Sequence, residues 1–176
     1  MLEAQLLFYV TCMRSSRKSK TDDLFIRAAK QADEGNLKSA FRLYLAAAKA
    51  GDSSCQINLG NLYDEGSGVR RNRSAAKYWY KHAYRRGECC AAHNIGVMWR
   101  NEKKYGKALN WFKKAVRLGD DEPNLEIAKH YLEVDHNPRR AIPHLRKVCE
   151  SNWVTEAGRA EANTLLRHAR KRANRV

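Results

Sequence analysis

Residues 51 to 87, GDSSCQINLGNLYDEGSGVRRNRSAAKYWYKHAYRRG, contain two helix-sized apolar patterns separated by a glycine-rich turn and closed at both ends by glycine. In the second pattern Ala76, Trp79, Tyr80 and Ala83 fall at i, i+3, i+4 and i+7, which is one face of a helix. The same residues recur outward from this stretch. Ala40, Ala76, Ala108 and Ala141 form one column, with Tyr44, Tyr80, Phe112 and Leu145 four positions on. Ala47, Ala83, Ala115 and Val148 follow, and then Gly51, Gly87, Gly119 and the turn-compatible Asn152. Successive members of a column keep a spacing in the low to middle thirties. Upstream in each unit lies another column, Ala28, Gly60, Gly96 and Ala128, followed three positions later by Gln31, Tyr63, Trp99 and Tyr131.

A period in the thirties with two apolar clusters per unit is the mark of stacked helical hairpins, none of which buries its apolar face without a neighbour. Seventeen Val, Ile and Thr among 176 residues leave little material for sheet. The expectation is an all-α, right-handed solenoid of about four antiparallel hairpins. The units run about 21–51, 52–87, 88–119 and 120–152, and residues 153–176 form a capping helix and basic tail. Gly60 and Gly96 each cost about 1 kcal/mol relative to Ala inside a helix. Close approach of the partner helix offsets that, with the aromatic one turn later filling the widened groove. Trp79, Tyr80, Trp111 and Phe112 read as core. Pro138 and Pro143 both fall where the last second helix begins, so that helix is expected to start near Arg139 or Arg140. In the capping helix the apolar residues are Ala160, Leu165 and Leu166.

Asn58-Leu59-Gly60, Leu62-Tyr63, Gly66-Ser67-Gly68-Val69, Ala75-Ala76 and Trp79-Tyr80, closed by Ala83 and Gly87, resemble a Sel1-like repeat, a relative of the tetratricopeptide repeat. The stretch from Gly60 to Ala76 is longer than its counterparts from Ala28 to Ala40, Gly96 to Ala108 and Ala128 to Ala141, which lack the Gly-x-Gly-Val loop. Those flanking units read more like tetratricopeptide repeats. The resemblance covers roughly residues 22 to 152 and implies a protein-binding array.

Little points to catalysis. The six histidines are scattered, with neither a paired-His metalloprotease motif nor a nucleophile elbow among them. Gly66-Ser67-Gly68 has no following Lys and no preceding strand, so it is a repeat turn and not a phosphate cradle. The chain reads as a non-enzyme with no cofactor. Cys12, Cys55, Cys89, Cys90 and Cys149 are odd in number and include a vicinal pair, a poor disulfide framework. Cys55 reads as core. Cys89 or Cys90 with His93 could share a metal on one helix face, but two ligands do not close a zinc site, so no metal is expected. Secreted Sel1-like proteins pair cysteines within each repeat, and no such pair recurs here. The location expected is cytoplasmic. Residues 2–10 (LEAQLLFYV) are too short for a membrane span, and Glu3 with no preceding base is wrong for a secretory signal. Translation from Met13 and a short helix lying on the first hairpin are the two readings of this end.

The formal charge is +15, divided as +3 in residues 1–20, +7 in 21–166 and +5 in 167–176. Arg70, Arg71, Arg73, Lys77 and Lys81, with Arg85 and Arg86, cluster on one repeat, and Arg170, Lys171 and Arg172 mark the tail. This is either a solubilising surface or a face for nucleic acid or another polyanion, bound mainly electrostatically. The tetratricopeptide resemblance implies a concave groove lined by the first helix of each hairpin. Its positions here are Phe25, Ala29 and Ala32; Ile57, Asn61 and Asp64; His93, Val97 and Arg100; Leu125, Lys129 and Leu132. The basic clamp that grips a chaperone's carboxylate in some relatives is not reproduced, because Phe25 stands where its Lys belongs. The expected function is thus a non-enzymatic adaptor holding a protein partner in the groove. The alternatives are an electrostatic polyanion binder and a toxin-capping immunity or inhibitor protein.

Overall fold

The computed structural model describes residues 20–174 and, among them, contains nine helices and no strand. The fold class is the expected all-α helical-repeat solenoid. The chain divides into two compact units at Arg86 and Gly87. The apolar run 2–10, the alternative start at Met13 and Cys12 lie outside the described residues.

The first unit holds α1 (20–33), α2 (Leu37–Lys49), α3 (Ser53–Glu65) and α4 (Arg73–Tyr84). Asp52 caps α3, its side chain accepting from the Cys55 backbone N–H at 2.7 Å. Asn72 caps α4 in the same way, accepting from the Ala75 N–H at 3.0 Å. Ala28, Ala40, Tyr44, Ala47, Cys55 and Leu59 form the unit's core. Gly60 lies directly under Tyr80 of α4, and a Cβ there would overlap the tyrosine ring. The loop after α3 also has a physical reason. Gly68 adopts φ +70° against the backbone carbonyl of Leu37, where any side chain would collide.

The second unit holds α5 (Cys89–Asn101), α6 (Tyr105–Arg117), α7 (Pro123–Glu133), α8 (Pro138–Glu150) and α9 (Glu156–Ala173). Each helix packs against the next, and α9 also touches α7. The core runs through Phe112, Ile127, Ala128, Tyr131, Leu145, Val148 and Leu166. Gly96 repeats the geometry of Gly60, with a Cβ meeting Phe112 Cδ1 at 2.6 Å.

Several expectations need correction. Each glycine does lie against the second helix of its own hairpin as expected, but the ring over it is Tyr80 or Phe112 and not the aromatic one turn later on the first helix. Tyr80 and Phe112 are buried, but Trp79 and Trp111 are only half-buried. Trp79 packs at the core's edge, and Trp111 lies under the Lys114 ammonium, 4.0 Å from its ring centre. Helix α8 begins at Pro138 itself, because Asn137 caps it and a first-turn proline has no N–H to lose. Pro143 lies inside the helix on its exposed side and forfeits one hydrogen bond. The dry stripe of α9 is Ala162, Leu166 and Ala169, with Leu165 half-buried and Ala160 in solvent.

Candidate partner-binding surfaces

In the first unit Phe25 is half-buried with its ring edge-on to Tyr44, the centroids 6.2 Å apart, and Ala29, Ala32 and Ile57 are also half-buried. Asn61 Oδ1 accepts the Tyr80 hydroxyl at 2.7 Å. Asp64 faces two cations, Arg71 at 3.9 Å and Arg73 at 3.8 Å, and its backbone carbonyl accepts from Arg71 Nε at 2.6 Å. These two arginines therefore fasten the loop to α3 as well as adding positive charge. Arg70 and Lys81 are exposed and Lys77 is half-buried.

Sequence reasoning missed the aromatic cluster on α4. Tyr78 is 54% exposed and meets Trp79 edge-on at 5.1 Å and His82 at 4.5 Å. The string Lys77-Tyr78-Trp79-Tyr80-Lys81 was the available signal, since the buried face of α4 is Ala76, Tyr80 and Ala83 and needs neither Tyr78 nor Trp79.

In the second unit Leu125 and Leu132 are buried in the core, while Val97 is packed at its edge. Arg100 Nη1 meets Glu126 at 2.6 Å, and Lys129 bridges Glu126 at 3.9 Å and Glu161 at 2.8 Å. Arg100 and Lys129 line a cleft of about 400 Å³ between α5, α6 and α7, together with Tyr105, Leu109, Glu126 and Val134. Tyr105 and Val134 are exposed. The groove positions of this unit thus scatter: Leu125 and Leu132 lie in the core, Val97 at its edge, Arg100 and Lys129 on the cleft wall, and His93 beside two carboxylates. Arg170, Lys171 and Arg172 are exposed in the last turn of α9, where cations complement the negative end of the helix dipole. His93 Nδ1 lies 3.2 Å from Asp120 Oδ2 and 3.8 Å from Glu122 Oε2.

Cys55 and Cys90 are poorly suited to nucleophilic work. Burial, then the Asp52 carboxylate, pushes the Cys55 thiol far up. Burial, then the neighbouring Cys89 thiol, pushes Cys90 up to about 11. Both stay protonated at neutral pH, whereas the thiolate is the reactive form. Among the described residues no helix is long and apolar enough to cross a membrane.

Antiparallel helix pairs, each with a small residue on the first helix beneath a large one on the second, define the tetratricopeptide-like repeat proteins. The Sel1 repeat model matches residues 34–52, 53–88 and 91–120, and these stretches are Sel1 repeats. The match at 91–120 extends the family signature to a hairpin without the Gly-x-Gly-Val loop. A putative sel1-like repeat-containing protein of Acanthamoeba polyphaga mimivirus is 36% identical over 87 residues, 49% of this chain and 16% of that protein. An F-box protein of Arabidopsis thaliana is 29% identical over 105 residues, 58% of this chain and 30% of that one. The matched region spans less than a third of either relative. Two solved structures share the fold. A Sel1 repeat protein from Oxalobacter formigenes superposes with TM-score 0.58 at 23% identity, covering 82% of this chain and 73% of that one. A protective antigen of uropathogenic Escherichia coli gives 0.68 at 18% identity, covering 90% and 40%. Sel1 repeats are in general non-enzymatic protein-interaction scaffolds.

Proposed function

We propose that the chain is a non-enzymatic adaptor that holds a segment of a protein partner in the groove of its repeats, anchored in the second unit between α5, α6 and α7. The cleft of the second unit carries the reading. Its apolar wall, Tyr105, Leu109 and Val134, sits beside the Arg100–Glu126–Lys129 charge cluster. Such a site suits an apolar anchor side chain flanked by polar groups, the arrangement in which interface energy concentrates. A cytoplasmic setting belongs to this reading and is supported by the free thiols of Cys55, Cys89, Cys90 and Cys149.

The test starts from a partner recovered on the purified chain and then measured as a pure component. Tyr105→Ala and Val134→Asp, both at exposed positions, are expected to weaken its binding at least about tenfold, roughly 1.4 kcal/mol. Unchanged affinity in both variants sinks the cleft.

The α4 aromatic cluster favours a second reading, a face for single-stranded nucleic acid. Base stacking on an aromatic ring is worth about 1–3 kcal/mol, and Lys77 and Lys81 flank Tyr78. Titration of a labelled single-stranded oligonucleotide should then show weaker binding for Tyr78→Ala. For Lys77→Gln with Lys81→Gln it should show a salt slope smaller by about 0.7 per lost contact. If Tyr78→Ala binds as the wild type does, the positive charge acts without a stacking platform and this reading fails.

A further inference from the structure

We propose that His93, Asp120 and Glu122 form a site for a divalent first-row transition-metal ion, with Zn²⁺ as the reference ion. The site would tie α5 to the connection between α6 and α7. The three ligand atoms all lie within 4.8 Å of one another. In a tetrahedral zinc site, metal–ligand bonds of about 2.0–2.2 Å place neighbouring donors roughly 3.3–3.6 Å apart. His93 Nδ1 sits 3.2 Å from Asp120 Oδ2 and 3.8 Å from Glu122 Oε2, so both separations from the imidazole are already close to coordinating geometry.

The charge arrangement points the same way. Two carboxylates converge on one imidazole in a chain of net charge +15, yet no Lys or Arg pairs with either of them among the described residues. A divalent cation offsets both. The first ligands are also held in place. The Glu122 N–H donates to Asp120 Oδ1 at 3.1 Å, which leaves Oδ2 aimed at His93. The His93 ring rests edge-on against Phe112 at 5.8 Å. Glu122 is the exposed member and the one free to close on an arriving ion. Imidazole with carboxylates suits zinc and its neighbours in the series better than the all-oxygen ions calcium and magnesium.

The experiment uses the untagged full chain carrying Cys89→Ser and Cys90→Ser, which removes the adjacent thiol pair as a competing zinc binder. Calorimetric titration with Zn²⁺ is expected to show one ion per chain, and thermal unfolding should move upward on binding. His93→Ala, and separately Asp120→Asn, should each weaken binding at least about tenfold. Should either variant fail to fold, Co²⁺ added to the parent protein gives a second readout. The ring signals of His93 should shift or broaden ahead of those of the other histidines. Loss of all binding in the cysteine variant, full binding in the His93 and Asp120 variants, or a cobalt effect centred on a different histidine would each overturn the proposal.

Discussion

Two hairpins of the second unit, α5–α6 and α7–α8, fill the same pair of positions with different residues. In α5–α6 the first helix offers Gly96 and the second covers it with Phe112. In α7–α8 the matching residues are Ala128 and Leu145, both fully buried in the same core. In these two hairpins a smaller residue on one side accompanies a larger one on the other, so the two pairs fill similar combined volumes. Close packing explains the match, since interiors tolerate neither a void nor an overlap of one methyl group without cost. The hairpins differ in polarity as well. Asn124, fully buried on α7, shares a hydrogen bond with His144 Nδ1 of α8 at 2.9 Å and donates to the Asp121 carbonyl at 3.0 Å.

The sharpest way to break this comparison is to convert one hairpin into the other. Phe112→Leu leaves a void above Gly96, and Gly96→Ala forces a methyl group into the Phe112 ring. Overpacking of that kind costs about 1–3 kcal/mol, set against about 1 kcal/mol of helix propensity gained. Removing all of Phe112 beyond Cβ is the largest change and should cost about 3–5 kcal/mol. In a double-mutant cycle, Gly96→Ala with Phe112→Leu is expected to be more stable than the sum of the single variants predicts, by at least about 0.5 kcal/mol. Strict additivity in denaturant titrations would mean that the two positions are filled independently.

How much of this was legible beforehand follows from what each residue's neighbours are. The columns Ala40 to Ala141 and Gly60 to Gly96 announced helix pairs, because a periodic small residue in a helix has a packing reason that survives without coordinates. Approach of the second helix at each glycine was legible too, but which ring fills the groove was not. Tyr63 and Trp99 stand closer in sequence to the glycines than Tyr80 and Phe112 do, yet the latter two rings cover them. The groove positions carried over from relatives were legible only as positions. Whether a side chain there faces solvent depends on the next hairpin, and Leu125 and Leu132 fall into the core while Arg100 and Lys129 reach the cleft. Asp120 and Glu122 stand a full helix and a turn beyond the helix that carries His93, so their convergence needed the fold.

A second, smaller break tests the polar links. Asn124→Ala leaves His144 Nδ1 without its partner in a partly buried setting, which costs about 1–3 kcal/mol, while the Asp121 carbonyl keeps the backbone N–H of residue 124. Tyr80→Phe in the first unit removes the hydroxyl that reaches Asn61, but Asn61 is half-exposed and water can replace it. The expected loss there is about 0.5–1.5 kcal/mol. Unfolding midpoints of the two variants rank the links directly. Equal losses would show that burial does not set the difference.

The smallest expected effect is a pH dependence carried by His144 of α8. Burial, then the nearby Lys147 and Lys113 ammonium groups, holds His144 below the ordinary histidine value of about 6.5. The unfolded chain therefore takes up a proton on His144 at a pH where the folded chain does not. The contribution to stability is complete above about pH 6.5 and is lost as the pH falls from there through the folded-state value. His144→Gln keeps a hydrogen-bonding group beside Asn124 and removes the titration. Denaturation midpoints measured from about pH 7.5 down to 5 should show the wild type falling towards the variant as the solution is acidified, with the gap widest at the alkaline end. Parallel curves over that range would mean that His144 meets enough water, or moves far enough, to be protonated in place.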